Sequence, residues 1–129
     1  MEPELTTDPK LSDILEELKK LEMVFHDPEA GSTREDFKMM TEESFWEVGA
    51  SGNCYSRNFV LDALEERVAH PHVDKWEAKD FYCYEIANNN YLLTYTLIQG
   101  ERITRRSSIW RRCEAIWKVL YHQGTIVKE

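Results

Sequence analysis

The sequence predicts an α+β domain in which three N-terminal helices pack on a mainly antiparallel sheet. Two observations lead to this prediction: an apolar stripe at helical spacing near the start, and four consecutive segments of strand alternation from residue 74 onward. Helices that are separated along the chain from a run of strands are typical of α+β folds. Residues 1–129 match the length of a single domain, in which we expect residues 1–9 to be flexible.

The three helices are predicted from spacing and from capping residues. The first follows Asp8 and carries apolar side chains three and four positions apart: Leu11, Ile14, Leu15, Leu18, Leu21 and Phe25. Thr33 and Asp36 have the spacing of a capping box at the start of a short second helix. Ser56 is the expected N-cap of the third helix, which extends to about residue 70.

Strand patterns fill most of the remaining chain. One strand, EESFWEVGA, is predicted between the second and third helices. Four more follow the third helix, and the turn at Asn88–Asn90 joins the first two of them. Their sequences are DKWEAKDFYCYEIA, YLLTYTLIQ, RITRRSSIWRRC and AIWKVLYHQGTIV.

The charge distribution argues against nucleic acid as a partner. The net charge is −8, and the first 50 residues hold 14 acidic and 5 basic side chains. Phosphate binding needs a surplus of positive charge. The arginines near the C-terminus alternate along a strand, so they fit a solvated sheet face better than a nucleic-acid surface; they are Arg102, Arg105, Arg106, Arg111 and Arg112.

The sequence gives no sign of a metal, a cofactor or a membrane segment. Three cysteines without C-x-x-C spacing do not form a zinc motif or a disulfide framework. His70, His72 and Asp74 form only a weak transition-metal pattern, and we expect no metal there. No apolar run reaches the roughly 20 residues that a membrane helix needs, and MEPELTTDPK does not resemble a signal peptide. We therefore expect a cytoplasmic protein.

Two stretches, FWEVGASGNCYSR and RRSSIWRRCEAIWKVLYHQGT, resemble the DUF4440 branch of the NTF2-like superfamily, which includes ketosteroid isomerase and the SnoaL-type cyclases. The resemblance covers roughly residues 10–127. It implies a cone-shaped domain with a strongly curved sheet, an interior cavity at the wide end, and often a homodimer formed through the sheet. Because this fold hosts enzymes, binding modules and interaction domains, the resemblance does not imply one reaction.

The strand RITRRSSIWRRC supplies the first candidate site residues. A period of two puts Arg106, Ser108 and Trp110 on one face, which would suit the lining of a semi-polar cavity. Glu47 lies on a neighbouring strand in the family fold and could pair with Arg106 or, if unpaired, act as a base with a raised pKa. The alternative is a structural network in which Glu47, Arg57 and Arg106 fix a helix against the sheet.

The end of the last strand supplies the remaining candidates. Alternation puts Trp117, Gln123 and Thr125 on one face and His122 on the other, so His122 and Gln123 share a cavity only if the strand bulges or ends there. Gly124 makes such a bulge feasible.

Three functions are compatible with this sequence. The first is binding of a small, partly apolar ligand that could be anionic; the expected lining residues are Trp46, Glu47, Arg57, Tyr95, Arg106, Ser108, Trp110 and Gln123. The second is a lyase or isomerase with Glu47 or His122 as base. The third is a protein-interaction module of the kind that some small bacterial NTF2-like domains provide, with the acidic first half facing a basic partner.

Overall fold

The computed structural model describes residues 1–71 and 75–128, which form helices and one curved sheet. Its α-helices are α1 (Ser12–Val24), α2 (Arg34–Met39) and α3 (Arg57–Ala69). Short 3-10 turns at Pro9–Leu11 and Pro28–Ala30 flank α1. The α+β class predicted from the sequence is confirmed.

The described strands form one six-stranded sheet in the order β2-β1-β6-β5-β4-β3. Their bounds are β1 (Thr41–Val48), β2 (Cys54–Ser56), β3 (Trp76–Ala87), β4 (Asn90–Gln99), β5 (Arg102–Cys113) and β6 (Ile116–Ile126). Every neighbouring pair is antiparallel except β1 and β6, which are parallel. The sheet is therefore mainly antiparallel, as predicted.

The order of helices and strands differs in part from the prediction of three N-terminal helices with one strand between the second and the third. Both β1 and the short strand β2 precede α3, and part of the helical structure consists of 3-10 turns. The sequence pattern missed β2 because three residues are too few to show alternation. Its pairing with β1 through Trp46 and Ser56 places the start of α3 beside the edge of the sheet.

Local capping explains where the helices begin. The Thr33 side chain accepts a hydrogen bond from the Asp36 backbone, and the Asp36 side chain accepts one from the Thr33 backbone. Ser56 Oγ accepts from the Phe59 backbone at the start of α3. These contacts satisfy N–H groups that the helices themselves leave unpaired. The caps predicted at Thr33 and Ser56 are confirmed.

A β-bulge in β6 changes which side chains face the helices. Ile109 lies opposite Tyr121, whereas the next residue of β5, Trp110, lies opposite Val119. Leu120 is therefore an extra residue on β6, and it inverts the alternation of the residues that follow. Val119 and His122 are both buried, while Gln123 is only partly buried.

The core fills the space between the helices and the inner face of the sheet. Its most buried apolar side chains are Leu18, Phe37, Leu61, Leu93, Leu97 and Trp110. The outer face has a different character, because one row of apolar side chains crosses five strands in register: Tyr84, Leu92, Ile109, Tyr121 and Trp46. The helices therefore cover one face of the sheet, and the cavity described below lies on that face.

Two further observations concern expectations from the sequence. Among the described helices, none has both the length and the apolar character needed to cross a lipid bilayer. No group of three or more histidine, cysteine or acidic side chains in residues 1–71 and 75–128 is placed to hold a metal ion. The pattern considered at His70, His72 and Asp74 falls partly outside the described residues, since residues 72–74 are not among them.

Candidate functional site

A cavity of about 400 Å³ lies between the helices and the inner face of the sheet. Apolar side chains form much of its wall: Phe25, Phe45, Val60, Leu64 and Val119. Tyr55 and Phe59 stack on each other at the more exposed side, with ring centroids 4.7 Å apart. A cavity of this size can hold a molecule with a single ring and a short side chain.

A row of three polar side chains crosses the sheet beneath the cavity. Ser108 on β5 lies opposite His122 on β6, and His122 in turn lies opposite Glu47 on β1. All three residues line the cavity. They are far apart in sequence, and the bulge at Leu120 is what brings His122 into this row.

Glu22 is the centre of a buried hydrogen-bond network at the end of α1. Its side chain accepts hydrogen bonds from Trp110 Nε1 at 2.9 Å and from the Tyr95 hydroxyl at 2.8 Å. His26 Nε2 lies 2.6 Å from the same hydroxyl oxygen. Burial, followed by the charge of Glu22, raises the pKa of Tyr95 well above its ordinary value, so its hydroxyl keeps the proton that it donates.

His122 is held in one orientation by three neighbours. Its Nδ1 lies 2.6 Å from Ser108 Oγ and 3.5 Å from Glu22 Oε2, and its Nε2 lies 3.4 Å from Arg106 Nη1. Because a guanidinium can only donate, Nε2 is assigned as the acceptor and Nδ1 as the protonated nitrogen. Burial lowers the pKa of His122, which favours the neutral ring in this position.

Arg106 lies flat against a glycine. Arg106 and Gly124 are directly opposite in the β5–β6 ladder, and a Cβ added to Gly124 would stand 3.2 Å from the Arg106 Cζ. The Nε of Arg106 donates to Thr104 Oγ1 at 3.0 Å. Burial lowers the pKa of Arg106 from its ordinary value, although the guanidinium stays charged at neutral pH. Gly124 thus provides the space in which this arginine enters the cavity.

Arg67 reaches the cavity from α3. One of its terminal nitrogens donates to the backbone carbonyl of Phe25, at the end of α1. Its Nε is buried and has no hydrogen-bond partner among the described residues. Burial is the main cause that lowers the pKa of Arg67. An unpaired buried N–H of this kind costs free energy unless another molecule accepts from it.

Glu47 faces the same cavity without a fixed partner. Its carboxylate accepts no hydrogen bond from any described residue and lies farther than 4.0 Å from the nitrogens of Arg67 and Arg106. Burial raises the pKa of Glu47, and the nearby charge of Arg106 opposes that effect only in part. The ion pair considered between Glu47 and Arg106 is therefore not formed, because no nitrogen of Arg106 lies within 4.0 Å of the Glu47 carboxylate oxygens.

Four residues predicted as site residues line the cavity: Glu47, Arg106, Ser108 and His122. Trp110 points to the same face of β5, as the alternation predicted, but it is fully buried beneath the cavity. Tyr95 is also buried, and its hydroxyl is used by Glu22 and His26. Trp110 and Tyr95 therefore support the cavity floor from below.

Three predicted residues lie elsewhere. Trp46 is 46% exposed and packs on Tyr121 on the outer face of the sheet. Gln123 lies on that face too, where its Oε1 accepts from the Tyr121 hydroxyl at 2.7 Å, because the bulge turns it away from the cavity. Arg57 binds Thr41 Oγ1 and the Lys38 carbonyl. The alternative network of Glu47, Arg57 and Arg106 is not formed.

Sequence reasoning missed Glu22, His26 and Arg67. One signal for Glu22 was present, since it follows Leu18 by four positions and so lies on the apolar face of α1. His26 extends the same spacing by one more turn. A charged residue within an apolar stripe is unusual enough to mark a buried polar network. Arg67 had no comparable signal, because it lies among charged residues near the end of α3.

Comparisons with known proteins identify the fold. No protein-family model matches the chain, and no curated protein matches it. Among solved structures, an NTF2-like protein from Cytophaga hutchinsonii is 13% identical, with 94% of this chain and 100% of that chain covered and a TM-score of 0.71.

Two other solved structures carry descriptions of activity. A protein from Streptomyces avermitilis, described as a candidate dehydratase of the NTF2-like family, is 14% identical over 91% of this chain and 98% of its own, with a TM-score of 0.71. A candidate ketosteroid isomerase from Parabacteroides distasonis is 16% identical over 95% of both chains, with a TM-score of 0.67. At these identities a likeness establishes the fold alone, and the DUF4440 branch stays a prediction. The chain has an NTF2-like fold.

Proposed function

We propose that this protein binds a small, partly apolar monocarboxylate in the cavity. The observation that carries the proposal is the pair Arg67 and Arg106, which enter the cavity from opposite walls. Neither guanidinium lies within 4.0 Å of a carboxylate oxygen of any described residue. Arginine is well suited to bind carboxylates, because its fork of N–H groups matches their two oxygens.

Electrostatics support an anionic ligand. Burial disfavours both guanidinium charges, since it is the largest cause that lowers the pKa of Arg67 and of Arg106. A bound carboxylate would replace the water that these groups lose and would accept from the unpaired Nε of Arg67. The ligand would then stabilise the protein, by an amount that rises with the logarithm of ligand concentration above Kd.

The apolar wall supports a ligand with a hydrophobic body. Phe25, Phe45 and Val60 line one part of the cavity, and Tyr55 and Phe59 form an aromatic pair at its exposed side. A single aromatic ring would contact these side chains while its carboxylate reaches the arginines. We therefore use 3-phenylpropanoate as the probe for testing the proposal.

The test is isothermal titration calorimetry together with thermal unfolding, using 3-phenylpropanoate and its uncharged amide. We expect the acid to bind and to raise the melting temperature, and the amide to do neither. Arg106→Met should weaken binding of the acid at least tenfold, because it removes a charge-assisted contact of about 1.5–3 kcal/mol. Arg105→Met is the matched control, since Arg105 is adjacent but binds Thr96 on the outer face.

The proposal would be wrong if the wild-type protein bound neither 3-phenylpropanoate nor shorter aromatic acids such as benzoate and phenylacetate. It would also be wrong if Arg106→Met and Arg105→Met weakened binding equally. The second result would mean that the arginines act through the overall charge of the protein rather than through the cavity.

A second candidate function is proton transfer on a ligand bound in the same cavity. One observation favours it: His122 is neutral, oriented by Ser108 and Glu22, and its unprotonated Nε2 is on the cavity side beside Arg106. An oriented neutral imidazole is the usual form of a general base. Glu47 is the other candidate base, because burial raises its pKa toward the range that such a role requires.

Solvent deuterium exchange tests this second function without knowledge of the natural substrate. Small ketones and keto acids would be incubated with the protein in D₂O and their exchange at the carbon next to the carbonyl followed by mass spectrometry. An enzyme of this kind should accelerate exchange, and His122→Asn or Glu47→Gln should abolish the acceleration. Exchange that stays at the buffer rate for every compound would exclude both assignments for that substrate class.

A further inference from the structure

The polar groups that the protein leaves unpaired in the cavity are of two opposite kinds. The Nε of Arg67 is a donor with no hydrogen-bond partner among the described residues, and Arg67 and Arg106 both carry positive charge without a carboxylate partner there. Glu47 offers only acceptors when ionised, and no described residue donates to it. A ligand that displaces water from this cavity should satisfy both kinds, because a polar group that loses water without gaining a hydrogen-bond partner costs free energy.

Glu47 has charged or titratable groups near it on several neighbouring elements, including Tyr55, its direct partner across the β1–β2 ladder. Arg106 faces it from β5, Arg67 from α3, and Glu22 from α1. His122 on β6 is its direct partner across the β1–β6 ladder. The Glu47 carboxylate therefore lies near the arginines that would bind a ligand carboxylate. A ligand acid without a hydrogen-bond donor would place its carboxylate near that of Glu47, with no donor between the two negative charges.

The net charge of the cavity lining indicates which hydrogen-bond donor the ligand carries. Among the residues that the structure describes, three arginines and two glutamates line the cavity: Arg67, Arg102, Arg106, Glu22 and Glu47. The two histidines that also line it, His26 and His122, are both neutral because burial lowers their pKa values. With the exposed Arg102 included, the lining thus has a net charge of +1, which a ligand of charge −1 would balance. A hydroxy acid has that charge, whereas an amino acid is a zwitterion and would leave the positive charge uncompensated.

We infer that the ligand is an aromatic 2-hydroxy acid, whose carboxylate binds Arg67 and Arg106 and whose hydroxyl donates to Glu47. The inference rests on the proposed function and adds the chemical class of the ligand. Glu47 is then a specificity-determining residue: it selects for acids that bring their own hydrogen-bond donor and selects against those that do not.

The experiment compares three ligands that differ at one carbon: 3-phenylpropanoate, 3-phenyllactate and phenylalanine. In the wild-type protein, calorimetry should give 3-phenyllactate about tenfold higher affinity than 3-phenylpropanoate, because a hydrogen bond to an ionised carboxylate is of that strength. Phenylalanine should bind more weakly than 3-phenyllactate.

Glu47→Gln should reduce the preference of 3-phenyllactate over 3-phenylpropanoate to about threefold or less. Part of this change should come from tighter binding of 3-phenylpropanoate, since the variant removes the repulsion between two carboxylates. Glu43→Gln is the matched control: Glu43 is an exposed residue of the same strand and does not line the cavity, so the tenfold preference should persist.

The outcomes separate this inference from the proposed function. If 3-phenylpropanoate binds and 3-phenyllactate has no advantage, monocarboxylate binding stands and the hydroxy acid is excluded. If Glu47→Gln still binds 3-phenyllactate more tightly than 3-phenylpropanoate by the wild-type factor, Glu47 is not the residue that recognises the hydroxyl. If phenylalanine binds most tightly, the charge argument is wrong. If none of the three binds, the proposed function itself fails.

Discussion

Replacing Gly124 by alanine tests whether this glycine positions Arg106. The added Cβ would stand 3.2 Å from Cζ and Nη1 of Arg106 and 3.3 Å from its Nε. Ordinary van der Waals contacts between such atoms are about 3.5–4.0 Å, so the guanidinium must move by a few tenths of an ångström. Gly124 does not have a positive φ, so alanine causes no backbone strain there.

The expected effects on stability and on binding have opposite signs. Alanine restricts the unfolded chain more than glycine does, which on its own stabilises the protein by about 0.4–1 kcal/mol, and the close contact with Arg106 offsets part of that gain. The shift of Arg106 stretches its 3.0 Å hydrogen bond to Thr104 and moves it away from the ligand carboxylate. Losing half of a charge-assisted contact, about 1 kcal/mol, corresponds to roughly fivefold weaker binding of 3-phenylpropanoate.

A double-mutant cycle on unfolding free energy isolates the contact between Arg106 and Gly124 without any ligand. In an Arg106→Ala background, Gly124→Ala should give its full entropic gain, because no guanidinium lies in the way. In the wild-type background the gain should be smaller by at least about 0.5 kcal/mol, as is usual for residues in contact. Equal effects in both backgrounds, together with unchanged ligand affinity, would refute the role assigned to Gly124.

Three further variants test individual contacts. Tyr95→Phe removes the hydroxyl between His26 and Glu22 and should lower the unfolding free energy by about 1.5–3 kcal/mol in urea titrations, since it leaves a buried carboxylate short of a donor. Burial lowers the pKa of His122, so the unfolded chain takes up a proton there at a higher pH than the folded protein does. The stability of the wild-type protein should therefore fall as the pH drops below 6.5. In His122→Asn, the melting temperature should fall less steeply between pH 7 and pH 5. Arg57→Met should cost about 1–2 kcal/mol by releasing Thr41 and the Lys38 carbonyl, while ligand affinity measured by calorimetry stays unchanged.

Local sequence patterns were sufficient to predict most of the helices and strands. The capping residues Thr33 and Ser56 mark helix starts that the structure confirms. The alternation along β5 correctly put Arg106, Ser108 and Trp110 on the inner face, because β5 follows a regular ladder with β4 throughout. Where a segment is regular, its sequence period is enough to assign faces.

The last strand shows where the same reasoning fails. The bulge at Leu120 has no glycine or proline to mark it, so strict alternation grouped Gln123 with Trp117 and assigned His122 to the opposite face. In the structure, His122 is buried on the cavity side of the sheet, and Gln123 is partly buried on the outer face. Gly124 was predicted to permit a bulge, whereas its role in the structure is to make room for Arg106.

The helical contributions to the cavity depended on tertiary packing that no local pattern contains. Glu22 and His26 come from the end of α1, and Arg67 comes from the end of α3. Which helix end lies above which strand is decided by the sheet order, including the parallel pairing of β1 with β6. The partners of Glu22, Trp110 and Tyr95, lie 88 and 73 positions away along the chain.

The bulge also has a consequence for homologues of this protein. Deleting Leu120 would remove the bulge and leave the pairs on both sides of it unchanged, so that His122 would still lie opposite Ser108. A relative that lacks one residue at this point can thus have an imidazole at the same place in the cavity, although that residue is one position closer to the equivalent of Trp117 along the chain. Comparing the chemistry of such cavities therefore requires that insertions and deletions in β6 be aligned by strand pairing rather than by residue similarity.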